Sequence, residues 1–187
     1  MDADDRLERG TLGRVKRFFD TVEQETDLVT YRIDTIYNGK LLKPHFRYQY
    51  LQESGVYDLQ DFAYIGQTTM NIAVRNQYGR NVLFDENQTF SEDQQYCCQV
   101  LRDKLKMGYC AEGRYLYYRN PNSVSGRLAG ACYVFEQSTA MFEKYFPGIK
   151  VKFRSHFRDC ISMIFTGSCA AICCILIIIQ ELNMRRR

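Results

Sequence analysis

Tryptophan is absent from the 187 residues, histidine occurs only twice, and the common short motifs of phosphate and acyl chemistry are missing. No Gly-x-x-x-x-Gly-Lys, Gly-x-Gly-x-x-Gly or Gly-x-Ser-x-Gly pattern occurs, which removes the sequence marks of a phosphate-cradling loop, a dinucleotide fold and a nucleophile elbow. His45 follows Pro44 in a strand-like run and His156 lies in a basic segment; neither stands at metal-ligand spacing with cysteine or a carboxylate. A Cys–His nucleophilic pair would have only His45 as a plausible base. The acidic start, Met1 to Asp5, is followed by no apolar core, so a cleaved secretory signal is not expected. Internal repeats and low-complexity tracts are also missing. On these absences the chain is expected to be non-enzymatic and to need neither metal nor cofactor.

One further absence is positive information. From Cys160 to Ile179 no residue is charged, and at 1.5 Å per helical residue such a run spans roughly the hydrocarbon thickness of a bilayer. The pattern predicts a transmembrane helix over 160–180, closed by Gln180 and Glu181, with a basic tail over 181–187. Within it Gly167 and Ala171 form a small-xxx-small pair suited to helix–helix contact. Lys150, Lys152, Arg154 and Arg158 alternate with apolar residues over 150–159 and would lie along anionic headgroups. Cys160 at that boundary is a candidate for acylation. A spanning helix at the C-terminal end predicts a tail-anchored protein on the endoplasmic reticulum or mitochondrial outer membrane, its domain facing the cytosol. An extracytosolic or viral-envelope placement is the alternative.

Charge is unevenly distributed. Residues 150–187 carry seven basic and two acidic side chains, a net of +5, against +3 for the whole chain, so residues 1–149 are near −2. The basic balance therefore belongs to the flank, which argues against a nucleic-acid partner for the domain. Four of the eight cysteines, Cys97, Cys98, Cys110 and Cys132, lie in the domain and are candidate structural thiols or disulfide partners. Asn87 heads an Asn-Gln-Thr sequon, a candidate glycosylation site if the domain is lumenal.

Along the chain, residues 1–27 read as a charged arm and an amphipathic helix from about Thr11 to Glu25, with Leu12, Val15, Phe18, Phe19 and Val22 at helical spacing. Residues 28–149 read as an α+β domain. Leu28 to Tyr37 is rich in β-branched and aromatic residues, and Asn38-Gly39 after it is a hairpin signal. Strand-like runs follow at Phe46–Tyr50, Val56–Ile65, Thr68–Arg75 and Asn81–Phe84, which together predict an antiparallel β-meander. Ser91-Glu92-Asp93-Gln94 is a capping box that opens a helix, with Lys104 and Lys106 in its last turn and Gly108 as its stop. Tyr115–Tyr118 predicts a further strand, and Ala129–Phe146 a second packed helix.

The abundance of aromatics completes the reading. Fourteen tyrosines stand beside twelve phenylalanines, and tyrosine favours interfaces because it joins apolar area to a polar tip. Tyr31, Tyr37, Tyr48, Tyr50, Tyr57 and Tyr64 make a candidate face for a protein partner. The function expected from sequence is thus a single-pass membrane protein whose domain binds protein within a larger complex, its other partner being the lipid bilayer. Two alternatives stand beside it: a disulfide-stapled attachment or entry domain, and a membrane-tethered thiol enzyme using Cys97 or Cys98.

Overall fold

Two long strands organise the chain, in a computed structural model that describes residues 5–44, 48, 51–62, 69–88, 92–118, 141 and 144–147. The first, β2, runs over Leu28–Tyr37, and the last, β6, over Lys106–Tyr118. They pair in parallel, Val29 beside Gly108 and Ile36 beside Tyr118. Shorter strands share their outer edges. β3 (Lys40–Pro44) and β5 (Ile72–Val74) pair antiparallel with the second and first parts of β2. β4 (Gly55–Asp58) and β1 (Arg6–Leu7) do the same for the first and second parts of β6.

This mixed sheet corrects the expected meander. An antiparallel meander joins neighbours through short turns, whereas the central pair here is closed by a crossover running from Tyr37 to Lys106. The composition of β2 permits that position: Leu28 to Tyr31 and Ile33 to Thr35 are all buried, a run that only a strand covered on both faces can sustain.

α1 (Thr11–Val22) packs on β6 through Val15, Phe18 and Val22. The helix is therefore a layer of its own domain, although Leu12, from the same apolar series, points to solvent. Its start is tied to the strand, where Thr11 Oγ1 donates to the Arg114 carbonyl and accepts from the Arg114 N–H. Close contact explains two glycines. A Cβ on Gly108 would lie 2.8 Å from Val29 Cγ2, and one on Gly113 would lie 2.8 Å from both Tyr31 Cβ and Val15 Cγ2. Gly113 closes a bulge in which Ala111, Glu112 and Gly113 are inserted between the partners of Tyr31 and Arg32.

The Asn38-Gly39 hairpin forms as expected, both residues having positive φ (49° and 72°), the signature of a type I′ turn. α4 (Glu92–Leu101) also forms, with Tyr96, Cys97, Cys98, Val100 and Leu101 buried; Ser91 of the capping box lies outside the described residues. The helix ends earlier than its basic residues suggested. Leu105 turns the chain at φ 54°, and Lys106 and Gly108 open β6 instead of closing α4. Val56–Ile65 divides into β4 and a single helical turn, α2 (Leu59–Phe62). Asn81–Phe84 is not a strand: α3 (Asn76–Asn81) occupies its start, Leu83 projects to solvent, 74% exposed, and Phe84, half exposed, stacks on Tyr96 with ring centroids 4.9 Å apart.

Among the described residues no helix is long and apolar enough to cross a membrane. The expected membrane-held architecture is corrected to this mixed α/β sheet with helices packed on it. The 160–180 run, with Gly167, Ala171, the basic residues Lys150, Lys152, Arg154 and Arg158, and Cys160, lies outside the described residues, as does most of the expected 129–146 helix.

Candidate functional site on the central strands

Side chains alternate along a strand, so β2 presents Val29, Tyr31, Ile33 and Thr35 toward α1 and Thr30, Arg32 and Asp34 to the opposite face. Polar groups concentrate on that opposite face. Asn71, fully buried just before β5, donates from Nδ2 to Thr30 Oγ1 at 2.9 Å and to the Tyr48 hydroxyl at 2.5 Å, and also meets the Tyr31 carbonyl. Its own carbonyl accepts from Tyr31 N–H and Thr30 Oγ1. Tyr48 stacks on Tyr109 with ring centroids 5.9 Å apart. Asn71 Oδ1 has no hydrogen-bond partner among the described residues, an unusual state for a buried amide oxygen.

Further along the face, Arg32 on β2 is the direct cross-strand neighbour of Arg114 on β6. Between them sits Asp34, whose side chain is 1% exposed. Arg32 Nε donates to Asp34 Oδ1 at 2.5 Å, while Arg114 approaches Oδ2 only to 3.7 Å. Asp34 Oδ2 is therefore buried with an ion pair but no hydrogen bond. Burial raises tyrosine pKa values on both sides of the sheet: Tyr31, on the α1 side, is pushed up to about 12, by desolvation first and the field of Tyr48 second. Tyr109 is raised further, again by burial first, with Tyr48, Arg32 and Asp34 among the groups whose charge it feels. The face is thus one electrostatic unit of acceptors, guanidinium donors and neutral phenols, the set that recognises hydroxyl and phosphate groups. Among the described residues no cluster of histidine, cysteine and carboxylates could hold a metal ion.

The residues singled out from sequence are dispersed. Tyr48 is buried in the network just described, while Tyr31 joins it only through its backbone and buries its ring on the α1 side; Tyr37 is exposed, and Tyr57, on β4, donates its hydroxyl to the Glu53 carbonyl. Tyr50 and Tyr64 lie outside the described residues. Asn87 is exposed in a turn, where its backbone N–H and Nδ2 both donate to Asp85 Oδ1. Cys97, Cys98 and Cys110 are buried and form no disulfide among the described residues, and Cys132 lies outside them. This corrects the expected disulfide among the described cysteines. Burial pushes Cys98 up to about 12 and raises Cys110, the opposite of the activated thiolate that a thiol enzyme using Cys98 needs. Sequence reasoning missed Arg32, Asp34, Asn71 and Arg114. Only the charged pair in an otherwise apolar strand, Arg32 and Asp34, was visible as a signal.

No family model matches the chain, and no curated protein matches it. Solved structures do. The chain is similar to S. aureus TarS 1–349 in complex with UDP-GlcNAc, with a TM-score of 0.54 at 15% identity, covering 78% of this chain and 42% of that one. The same protein in complex with UDP gives a TM-score of 0.54 at 14% identity over 90% of this chain and 50% of that one. TarS 1–349 without a named ligand gives 0.52 at 18% identity over 78% and 40%. The chain thus spans half or less of the length of these proteins, and at such identities the fold is what is shared. That fold holds UDP-GlcNAc in TarS, and the likeness overturns the expected non-enzymatic, tail-anchored interaction subunit together with its attachment-domain alternative. The expected placement on a membrane is corrected only so far as the described residues reach: among them no helix is long and apolar enough to cross one.

Proposed function

We propose that this chain carries part of a nucleotide-sugar-binding enzyme fold and acts on a UDP-activated sugar, with glycosyl transfer as the reaction class. The observation that carries the reading is the fold likeness to TarS bound to UDP-GlcNAc and to UDP, over 78% and 90% of the chain. In such a transfer an acceptor hydroxyl oxygen bonds to the anomeric carbon, the bond from that carbon to the β-phosphate oxygen breaks, and UDP leaves with the electron pair. The acceptor's proton passes to a base. A protein serving this step needs donors for the negative charge that grows on the leaving diphosphate and acceptors for sugar hydroxyls. The β2–β6 face supplies both types, in Arg32 and Arg114 and in Asp34 and Asn71.

Binding is the direct test. Titration of the full chain with UDP-GlcNAc, UDP-glucose, UDP and ADP, followed by calorimetry and by saturation-transfer NMR, should give uridine-dependent binding in the micromolar to millimolar range usual for enzyme substrates. Release of UDP from the sugar nucleotide on incubation would report turnover. Failure of every uridine nucleotide to bind would sink the reading.

A further inference from the structure

The three arginines on one face of the sheet stand in an arrangement that protein contacts alone leave incomplete. Arg114 and Arg32 are direct cross-strand neighbours, and like charges so placed repel. On the far side of β6, Arg6 of β1 is paired with Leu116, two residues beyond Arg114 and therefore on the same face. Arg6 is exposed and lies over the ring of Tyr118, 5.8 Å from its centroid. Three strands thus bring three guanidinium groups to one stripe.

The carboxylates nearby hold these groups without saturating them. Asp34 engages Arg32 through Nε, and among the described residues the two Nη atoms of Arg32 make no hydrogen bond. Arg114 stands 3.7 Å from Asp34 and 3.9 Å from Glu8, ion-pair distances too long for hydrogen bonds. Glu8 is itself taken by Arg14 at 2.6 Å. Counting Arg6, Arg14, Arg32 and Arg114 against Asp5, Glu8 and Asp34, where Asp5 is taken by the Tyr118 N–H and the Tyr115 hydroxyl, leaves an excess of one positive charge. The side chains of Arg32 and Arg114 are 30% and 40% exposed, so their outer edges reach solvent while Asp34 fixes them from below.

We infer that Arg32 and Arg114, with Arg6 at the margin, form a diphosphate seat. Within the UDP-sugar reading, on which the identity of the ligand rests, they take the diphosphate of the nucleotide. A planar fork with its Nε held and its Nη edge open offers paired donors to a phosphate, a geometry that lysine cannot reproduce. Two forks from adjacent strands match two linked phosphates, and the ligand's charge relieves the repulsion between them. Tyr118 beside Arg6 adds an aromatic edge to the seat. The place leans toward the end that the general rule for open α/β sheets favours, in which ligands bind at the carboxyl ends of parallel strands: Arg114 and Tyr118 lie in the later part of β6, and Arg32 stands at the middle of β2.

The test is a titration of the full chain with inorganic pyrophosphate and, separately, with UDP, read by calorimetry and 31P NMR. Wild type should bind both, with affinity that falls as salt is raised. Arg114→Gln, which leaves the Arg32–Asp34 bond in place, should weaken both at least tenfold. Arg114→Lys should fall between, and Arg102→Gln, an exposed arginine beside Asp103 outside the stripe, should change neither. Arg6→Gln removes an exposed side chain from the short edge strand β1 and should weaken both about threefold, a check that stands if an Arg114 variant folds poorly. UDP binding that is identical in wild type and Arg114→Gln would overturn the seat and leave the nucleotide-sugar reading standing. Arg114-dependent binding of pyrophosphate without binding of UDP would keep the seat and sink that reading. Binding of neither ligand to wild type overturns the seat.

Discussion

The two ends of β2 treat a buried aspartate in opposite ways. At the entrance to the strand, Asp27 is saturated: Arg75 Nε donates to it at 2.6 Å, Lys104 Nζ stands at 3.2 Å and the Tyr78 hydroxyl at 3.4 Å. The Arg75 N–H also donates to the Asp27 carbonyl, and Arg75 and Lys104 both reach the Glu23 carbonyl. One carboxylate thereby fastens the end of α1, the start of β2, the exit of β5 and the α4–β6 turn. Seven positions later Asp34 is as deeply buried, yet it has one hydrogen bond, one distant guanidinium and one oxygen without a partner. A saturated carboxylate is a clamp. A half-saturated one, with cations whose outer edges are open, is poised to bind something else.

The largest effect that bears on this contrast is expected in alkali. Tyr31 and Cys98, both buried, keep their protons in the fold to about pH 12, against ordinary values of 10.0 and 9.0. A folded pKa above the unfolded one adds stability that is complete below the unfolded pKa and is lost as pH rises through the folded one. The melting temperature should therefore fall steeply between about pH 9 and 12, with Tyr31→Phe and Cys98→Ala each flattening the fall. A melting temperature that stays level through that window would show that these groups are not sealed in.

Next in size is Asp27→Asn. Breaking a buried ion pair from one side costs about 3–5 kcal/mol, and because Arg75 and Lys104 reach solvent the lower end, about 3 kcal/mol, is expected in urea unfolding. Gly113→Ala tests the seam between the two halves. Its Cβ has no room against Tyr31 and Val15, and such overpacking costs typically 1–3 kcal/mol. Smallest is Asp34→Asn, expected to cost about 1.5 kcal/mol, the low end for a hydrogen bond between charged groups, because Arg32 and Arg114 can turn to solvent. Were Asp34→Asn to cost more than Asp27→Asn in the same urea series, the distinction between clamp and open seat would collapse.

Local structure was legible to the extent that its causes are local. Asn38-Gly39 makes its turn because those two residues tolerate positive φ, and the apolar spacing from Thr11 makes a helix that buries Val15 and Val22. Where a local signal competed with a distant one, the distant one prevailed. Lys104, Lys106 and Gly108 resemble the end of a helix, but Gly108 is small because Val29 passes 2.8 Å from where its Cβ would be, a contact no window of sequence contains. Leu83 and Phe84 have the residue types of a strand and find no neighbour to pair with in the sheet.

The sequence by itself determined the identity and approximate bounds of the hairpin, α1 and the start of α4, because turn chemistry, helical periodicity and first-turn acids act within a few residues. It also held, unread, the charged pair Arg32 and Asp34 in an apolar strand. Tertiary structure alone decided that β2 and β6 run parallel, that Tyr31 and Tyr48 are buried, that Cys97, Cys98 and Cys110 are buried too, and that Arg6, Arg32 and Arg114 share one face. The physical reason is the reach of the interactions. A β-ladder joins residues some 80 positions apart through backbone groups that every sequence possesses, so its partners are chosen by whole-sheet burial and not by any motif along the chain.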